Sequence, residues 1–336
     1  MPGLKPTISV VVIGRNEGER LRRCLDSVRA MASLPDGHEI IYVDSGSSDS
    51  SLQIAAECGA QTIELNAARP GAASARNAGW RVARAEWVLF LDGDTILDPS
   101  FPELALESMA EPSVAAVWGH RRELYPKASI FQRVLDLDWV YAPGYTEFCG
   151  GDALFRRAAL ERVGGFDPTL IAGEEPEMCS RMRAVGYTIL HIDAPMTGHD
   201  LAITRFSQYW RRLMRAGYAY AQMATQTHGD NKVRLWAAES RGNAIRALML
   251  LTLLALAFIA PWFSNSPWVT FGIALAIFAA LVLRTASKAR WKSNDPVSLL
   301  YYGAHSHLQQ IPIFAGQVAF WWDMVRNQRR GLIEYK

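Results

Sequence analysis

The sequence predicts an α/β fold with a mostly parallel sheet and helices on both faces, followed by an α-helical, membrane-associated C-terminal region. Three observations predict it. Through the first hundred residues, short apolar runs alternate with amphipathic stretches at βαβ spacing. Three of those runs end in polar clusters, "GRNE" at 14–17, "DSGSSD" at 44–49 and "DGD" at 92–94. Beyond residue 246 come two long apolar runs without a single charge.

The elements follow in order. "TISVVVIG" reads as a first strand, and "EGERLRRCLDSVRAM" as an amphipathic helix. "HEIIYVDS" is a second strand, "SSLQIAAECGA" a helix closed by glycine, and "QTIELN" a short strand. "GAASARNAGWRVA" is a helix, and "WVLFLDGD" a strand apolar enough to be buried on both faces. In open parallel sheets ligands collect at the carboxyl ends of the strands, where all three polar clusters fall. Their convergence argues against reading Asp92 and Asp94 as a mere Asp-Gly turn. From 114 to 195 the α/β pattern continues with longer loops.

After about residue 204 the chain becomes basic, with eight Lys and Arg between Arg205 and Arg246 against Asp230 and Glu239. The runs 247–263 and 268–283 then read as a transmembrane hairpin, in preference to a pair of buried core helices. Trp262 and Trp268 mark one interface, and Arg246, Arg284, Lys288, Arg290 and Lys292 flank the pair. The positive-inside rule puts both ends in the cytosol, with Asn265 on the far side. "LLYYGAHSHLQQIPIFAGQVAFWWDMV" mixes aromatics with His and Gln and is expected to be an interfacial helix. The expected organisation is a catalytic domain over 1–204, a juxtamembrane helical segment over 205–246, the hairpin over 247–283, and an interfacial helix with a basic tail over 284–336.

Composition narrows the function. Half of the residues are hydrophobic, in keeping with membrane contact, and a net charge of +2 offers no case for nucleic acid. Four scattered cysteines make neither a zinc motif nor a disulfide framework, which fits a reducing cytosolic face. The N-terminus lacks a signal-peptide cleavage region. A Walker-type phosphate loop is absent, and no dinucleotide glycine fingerprint follows the first strand.

The clusters imply a chemistry. Two carboxylates on Asp92-Gly-Asp94 make a hard-oxygen site for Mg²⁺ or Mn²⁺, ions commonly completed by substrate phosphates. Asp44, with the flexible "SGSS" behind it, is placed to accept hydrogen bonds from a base or ribose. Arg76 and Asn77, read at the start of a helix, offer a diphosphate a cation and backbone donors.

"VVVIGRNE", "VDSGSSD", "ARNAGW", "FLDGDT", "GGDALFRR" and "GGFDP…GEEPEMCSRMR" resemble, in this order, the motifs of family 2 glycosyltransferases over residues 7–200. The resemblance implies a GT-A fold and an inverting transfer of a sugar from a UDP- or GDP-sugar. It implies a divalent metal held by Asp92 and Asp94, with Asp44 and Glu17 on the nucleotide side. The acidic motif near the acceptor reads Gly173-Glu174-Glu175, which places Glu175 as general base and Glu174 beside it. His199 takes the place of a further metal ligand in preference to His191. Asp152 is assigned to the acceptor side. Ser45 stands where many members carry a second aspartate, leaving the base open. "FSQYWRRL" only loosely resembles the Gln-x-x-Arg-Trp motif of processive synthases, so a single sugar addition is expected. The acceptor is expected to be lipid-linked or a glycan, met at the cytosolic face of the membrane. The competing reading is a catalytically idle membrane scaffold or nucleotide-sugar sensor; the full set of Asp44, Asp92, Asp94 and Glu175 speaks against it.

Overall fold

The computed structural model describes residues 6–32, 34–65, 71–225, 234–259 and 267–327. Two compact units emerge, one of Met1–Leu124 with Trp139–Leu201 and one of Tyr125–Asp138 with Ala202–Lys336.

The first unit is built on β1 (Ile8–Gly14), flanked by β2 (His38–Asp44) and β4 (Trp87–Asp92), with β3 (Gln61–Glu64) outside β2. These four strands are parallel. β1 and β4 carry Val, Ile, Leu and Phe at almost every position and are buried on both faces, as central parallel strands must be. Register brings the polar clusters together: Gly14 lies opposite Asp44 and Ile13 opposite Asp92. The helices α1 (Glu19–Arg29), α2 (Ser51–Glu57) and α3 (Ala72–Val82) make the crossovers.

Beyond β4 the sheet becomes mixed. β8 (Ala153–Arg156) runs antiparallel between β4 and β6 (Val114–Glu123), and β6 pairs in parallel with β9 (Thr188–His199). The short strands β5 (Thr95–Leu97) and β7 (Gly144–Thr146) both pair antiparallel to β9. With α4 (Phe101–Ser108), α6 (Arg157–Val163) and α7 (Glu174–Ala184), one continuous core fills this unit.

The second unit is helical: α5 (Ile130–Asp138), α8 (Phe206–Thr225), α9 (Ala237–Ile259), α10 (Pro267–Lys288), α11 (Pro296–Leu308) and α12 (Gln310–Val325). The segment 125–138 therefore packs with the helices, inside the stretch assigned to the catalytic domain as 1–204. α9 and α10 are long and apolar enough to cross a membrane, and only 17% and 6% of their apolar windows are buried. Trp262, Asn265 and the tail from 328 onward lie outside the described residues.

The expected single interfacial helix is two helices, α11 and α12, that meet at Leu308–Gln310. Pro312 sits in the first turn of α12, where a missing N–H costs nothing. Several polar residues of this stretch, His305, Gln310 and Gln317, are buried. His305 is buried between the Tyr209 hydroxyl (2.7 Å) and Asp138 (3.1 Å), and Gln317 donates to the Ser240 carbonyl at 2.8 Å. A buried imidazole or amide needs partners, and the unit supplies them.

Candidate active site

The Asp92-Gly93-Asp94 turn is held from several sides. Gly93 donates to the Ile13 carbonyl (2.8 Å), and the Thr95 hydroxyl donates to the Asp92 carbonyl (2.8 Å). A side chain at position 93 would crowd the Ile13 carbonyl and the Glu17 side chain, which explains the glycine. Asp152, fully buried, accepts from the Asp92 N–H (3.0 Å) and the Thr197 hydroxyl (2.8 Å).

The pairing of β5 with β9 sets Thr95 opposite His199, next to Asp94. His199 Nε2 lies 3.2 Å from Asp94 Oδ1, and one ligand atom from each of Asp92, Asp94 and His199 falls within 4.8 Å of the others. Two carboxylates and an imidazole form a donor set that fits Mn²⁺ or Mg²⁺. His191 is instead a core residue, stacked on Trp118 at 4.1 Å with Nδ1 3.0 Å from the Ala142 carbonyl.

Arg76 links this cluster to the acidic pair at the start of α7. Its guanidinium is 2.9 Å from Asp92 Oδ1, 3.0 Å from Glu174 and 2.7 Å from Glu175. Burial alone disfavours its charge, but Glu175, Asp92 and Glu174 together hold it firmly protonated. Burial pushes the Glu175 carboxyl up to about 7, the neighbouring charge of Glu174 adds to this, and Arg76 opposes it. Gly151 runs through the middle: a side chain there would collide with Arg76 and press on Glu175 and Asp92. Its missing side chain is what lets the loop pass between the two acidic clusters.

Four sequence-based assignments need correction. Arg76 is in the middle of α3, ion-paired with carboxylates, not at a helix start facing a diphosphate. Asn77 is a structural clamp: its amide donates to the Phe166 carbonyl (2.7 Å) and accepts from the Phe166 N–H (3.0 Å) and the Trp80 indole (2.9 Å). Asp44 is buried, and its two oxygens accept from Tyr42, from the Gly46 and Ser47 N–H groups and from the Ser47 hydroxyl. Four acceptances exhaust a carboxylate's in-plane lone pairs, so Asp44 shapes its own turn rather than offering itself to a nucleoside. Asp152, expected on the acceptor side, is fully buried and braces the Asp92 turn from within. Glu17 lies over Gly93 with its carboxylate 2.9 Å from Arg20.

Two residues escaped the sequence reading. Arg121, on β6, lies 3.5 Å from Asp92 Oδ2 and 3.7 Å from Asp152. Its guanidinium rests on the Trp139 ring at 4.6 Å, and that ring is 5.1 Å from the His199 ring. Only tertiary pairing brings β6 to this edge; the string "HRREL" carries no signal of its own.

Residues 9–164 match glycosyl transferase family 2, and residues 87–283 match glycosyl transferase family group 2. The pre-mycofactocin glycosyltransferase of Mycobacterium tuberculosis is 27% identical over 266 residues, covering 73% of this chain and 53% of that protein. The poly-beta-1,6-N-acetyl-D-glucosamine synthase of Staphylococcus epidermidis is 29% identical over 180 residues, 49% of this chain and 43% of that protein. The chain thus spans about half the length of these relatives. Among solved structures, the mannosyltransferase PcManGT from Pyrobaculum calidifontis, in complex with GDP-Man and Mn2+, shares the fold. Its TM-score is 0.60 at 20% identity, over 95% of this chain and 88% of that one. The sheet, the ordered motifs and these matches agree: the chain belongs to the family 2 glycosyltransferases and has the GT-A fold.

Proposed function

We propose that the chain is a metal-dependent inverting glycosyltransferase that moves one sugar from a nucleoside-diphosphate sugar to a lipid-linked or glycan acceptor at the cytosolic face of a membrane. The observation that carries this reading is the juxtaposition of Asp92, Asp94 and His199 with Glu175, through Arg76. Asp92, Asp94 and His199 would hold the divalent cation, which neutralises charge on a departing diphosphate when bound. The site calls for such a cation. Asp92, Asp94, Asp152, Glu174 and Glu175 gather five carboxylates around Arg76, Arg121 and His199.

Glu175 serves as the base. An acceptor hydroxyl oxygen forms a bond to the anomeric carbon, the bond from that carbon to the diphosphate oxygen breaks, and the hydroxyl proton passes to the Glu175 carboxylate. A carboxyl poised near 7 accepts a proton more readily than an ordinary glutamate, and Arg76 keeps it aimed. Arg76 serves the mechanism by orienting both acidic clusters.

Membrane attachment rests on α9 and α10. Met249, Phe258 and Trp268 are among many large apolar side chains left exposed there, which a core hairpin would bury. PcManGT, solved with GDP-Man and Mn2+, makes the first donor and metal to try GDP-mannose and Mn²⁺. The test is release of nucleoside diphosphate from GDP- and UDP-sugars by the detergent-solubilised protein, with and without Mn²⁺ and with a lipid-phosphate or oligosaccharide acceptor. Metal-dependent turnover that rises with acceptor supports the reading. Donor binding without transfer under every condition would favour the idle sensor instead.

A further inference from the structure

Two guanidiniums hold the Asp92 carboxylate, and they are held very differently. Arg76 is almost fully buried and contacts three carboxylates at 2.7–3.0 Å, so its charge is committed. Arg121 makes only the longer contacts of 3.5 Å to Asp92 and 3.7 Å to Asp152, and its side chain retains 14% of its exposure. Its guanidinium lies over the flat Trp139 ring at 4.6 Å, a cation–π contact that fixes the plane of the group but leaves its charge unneutralised. On its other side, Nη1 faces Gly150, where even an added side-chain carbon would stay 3.8 Å away. Arg121 is the loosely held cation of the site, standing beside a metal-ligating carboxylate.

Building on the metal-and-donor reading above, we propose that Arg121 is a donor-binding residue that couples metal entry to donor binding. Its guanidinium occupies Asp92 in the metal-free protein and passes to the donor's diphosphate once the metal takes that carboxylate. The sign of its effect therefore reverses. Without nucleotide, a positive charge beside Asp92 repels the incoming cation. With a nucleoside diphosphate present, the same charge meets phosphate oxygens that a planar guanidinium holds in pairs, and metal and nucleotide reinforce each other. Asp92 is not left with excess negative charge before the metal arrives, and a metal without donor is only weakly retained.

The test is Mn²⁺ affinity, read from the paramagnetic resonance of free Mn²⁺ for the full-length solubilised protein, alone and with saturating GDP or UDP. Without nucleotide, Arg121→Gln should bind Mn²⁺ about threefold or more tighter than the parent, since a nearby positive charge has gone. The extra Mn²⁺ affinity that nucleotide confers should fall about tenfold in that variant, a coupling loss of ordinary size. Arg121→Met, which still covers Trp139, should behave like Arg121→Gln and serves if the glutamine variant fails to fold. Arg121→Lys, which keeps the charge, should retain the parent's weak nucleotide-free affinity. Weaker or unchanged nucleotide-free binding in the neutral variants, or undiminished coupling, would overturn the inference. So would a lysine variant indistinguishable from the glutamine one. Asp94→Asn separates the two levels: Mn²⁺ binding that survives it removes the metal site itself and this inference with it. An Asp94-dependent site indifferent to Arg121 overturns the inference alone.

Discussion

At the scale of residues, Glu175 and Glu174 share one arginine but not one environment. Burial and the charge of Glu174 hold the Glu175 carboxyl near 7 in the metal-free protein. Neutralising the neighbour removes a repulsion that favours the protonated form, so Glu174→Gln should lower the Glu175 value. Carbon-13 NMR of labelled glutamates across pH 4–9 would show the shift, and an unmoved titration would contradict it. A base works only when deprotonated, so transfer should rise with pH through a limb at or below about 7, because a bound divalent cation lowers the value further. Glu175→Gln should bind Mn²⁺ and nucleotide as the parent does, yet transfer sugar at least about a hundredfold more slowly. Glu174→Gln should be much milder. If the severities are reversed, the base is Glu174. Asn77 tests a correction: Asn77→Ala orphans both Phe166 backbone groups and the Trp80 indole in the interior, at a cost of about 2–4 kcal/mol. Thermal melts would reveal it, with Mn²⁺ affinity unchanged in the folded fraction.

At the scale of elements, what matters is which backbones touch. Gly217 on α8 and Gly316 on α12 bring these two helices into main-chain contact, since a side chain on either would run into the Ile313 or Met214 carbonyl. Relief would require the helices to separate along their whole contact. Gly217→Ala should therefore cost more than the usual overpacking penalty of about 1–3 kcal/mol, although alanine is the better helix former. A lowered melting temperature in detergent is the expected result; a raised one would mean that the helices separate at no cost. The site depends on elements in the same way. The β5–β9 pairing brings His199 to Asp94, because it sets Thr95 opposite His199.

At the scale of the whole molecule, the two units do not follow the chain as a simple cut. α5 packs with α11 in the helical unit and buries Val134, Leu135 and Leu137. A fragment ending at residue 204 would carry this apolar face without its partner helices. It should aggregate on size exclusion, whereas the same fragment with 125–138 replaced by an equally long Gly-Ser stretch should run closer to monomeric. Equal behaviour would show that α5 does not need α11. For topology, a cysteine at position 265 in a cysteine-free background should react with an impermeant thiol reagent added outside cells, and one at position 288 should not. The opposite pattern would invert the assigned orientation.

The order of strands and helices to residue 92, the placement of three polar clusters on one sheet edge and the apolar hairpin were legible in the sequence. They follow from local properties: side-chain periodicity, turn chemistry, and runs of apolar residues that only a core or a bilayer accommodates. Asp92 and Asp94 drew attention as a carboxylate pair at a strand end, whereas Glu175 was singled out only through the resemblance of its motif to the family's, since acids at a helix start are common on their own account. Tertiary structure decided the rest. It turned Asp44 inward onto its own loop, made Asn77 a clamp, set Asp152 behind the Asp92-Gly-Asp94 turn and brought Arg121 across from β6. Each of these depends on which groups, distant in sequence, compete for the same lone pairs and charges. That competition exists only once the sheet has brought them within a few ångströms.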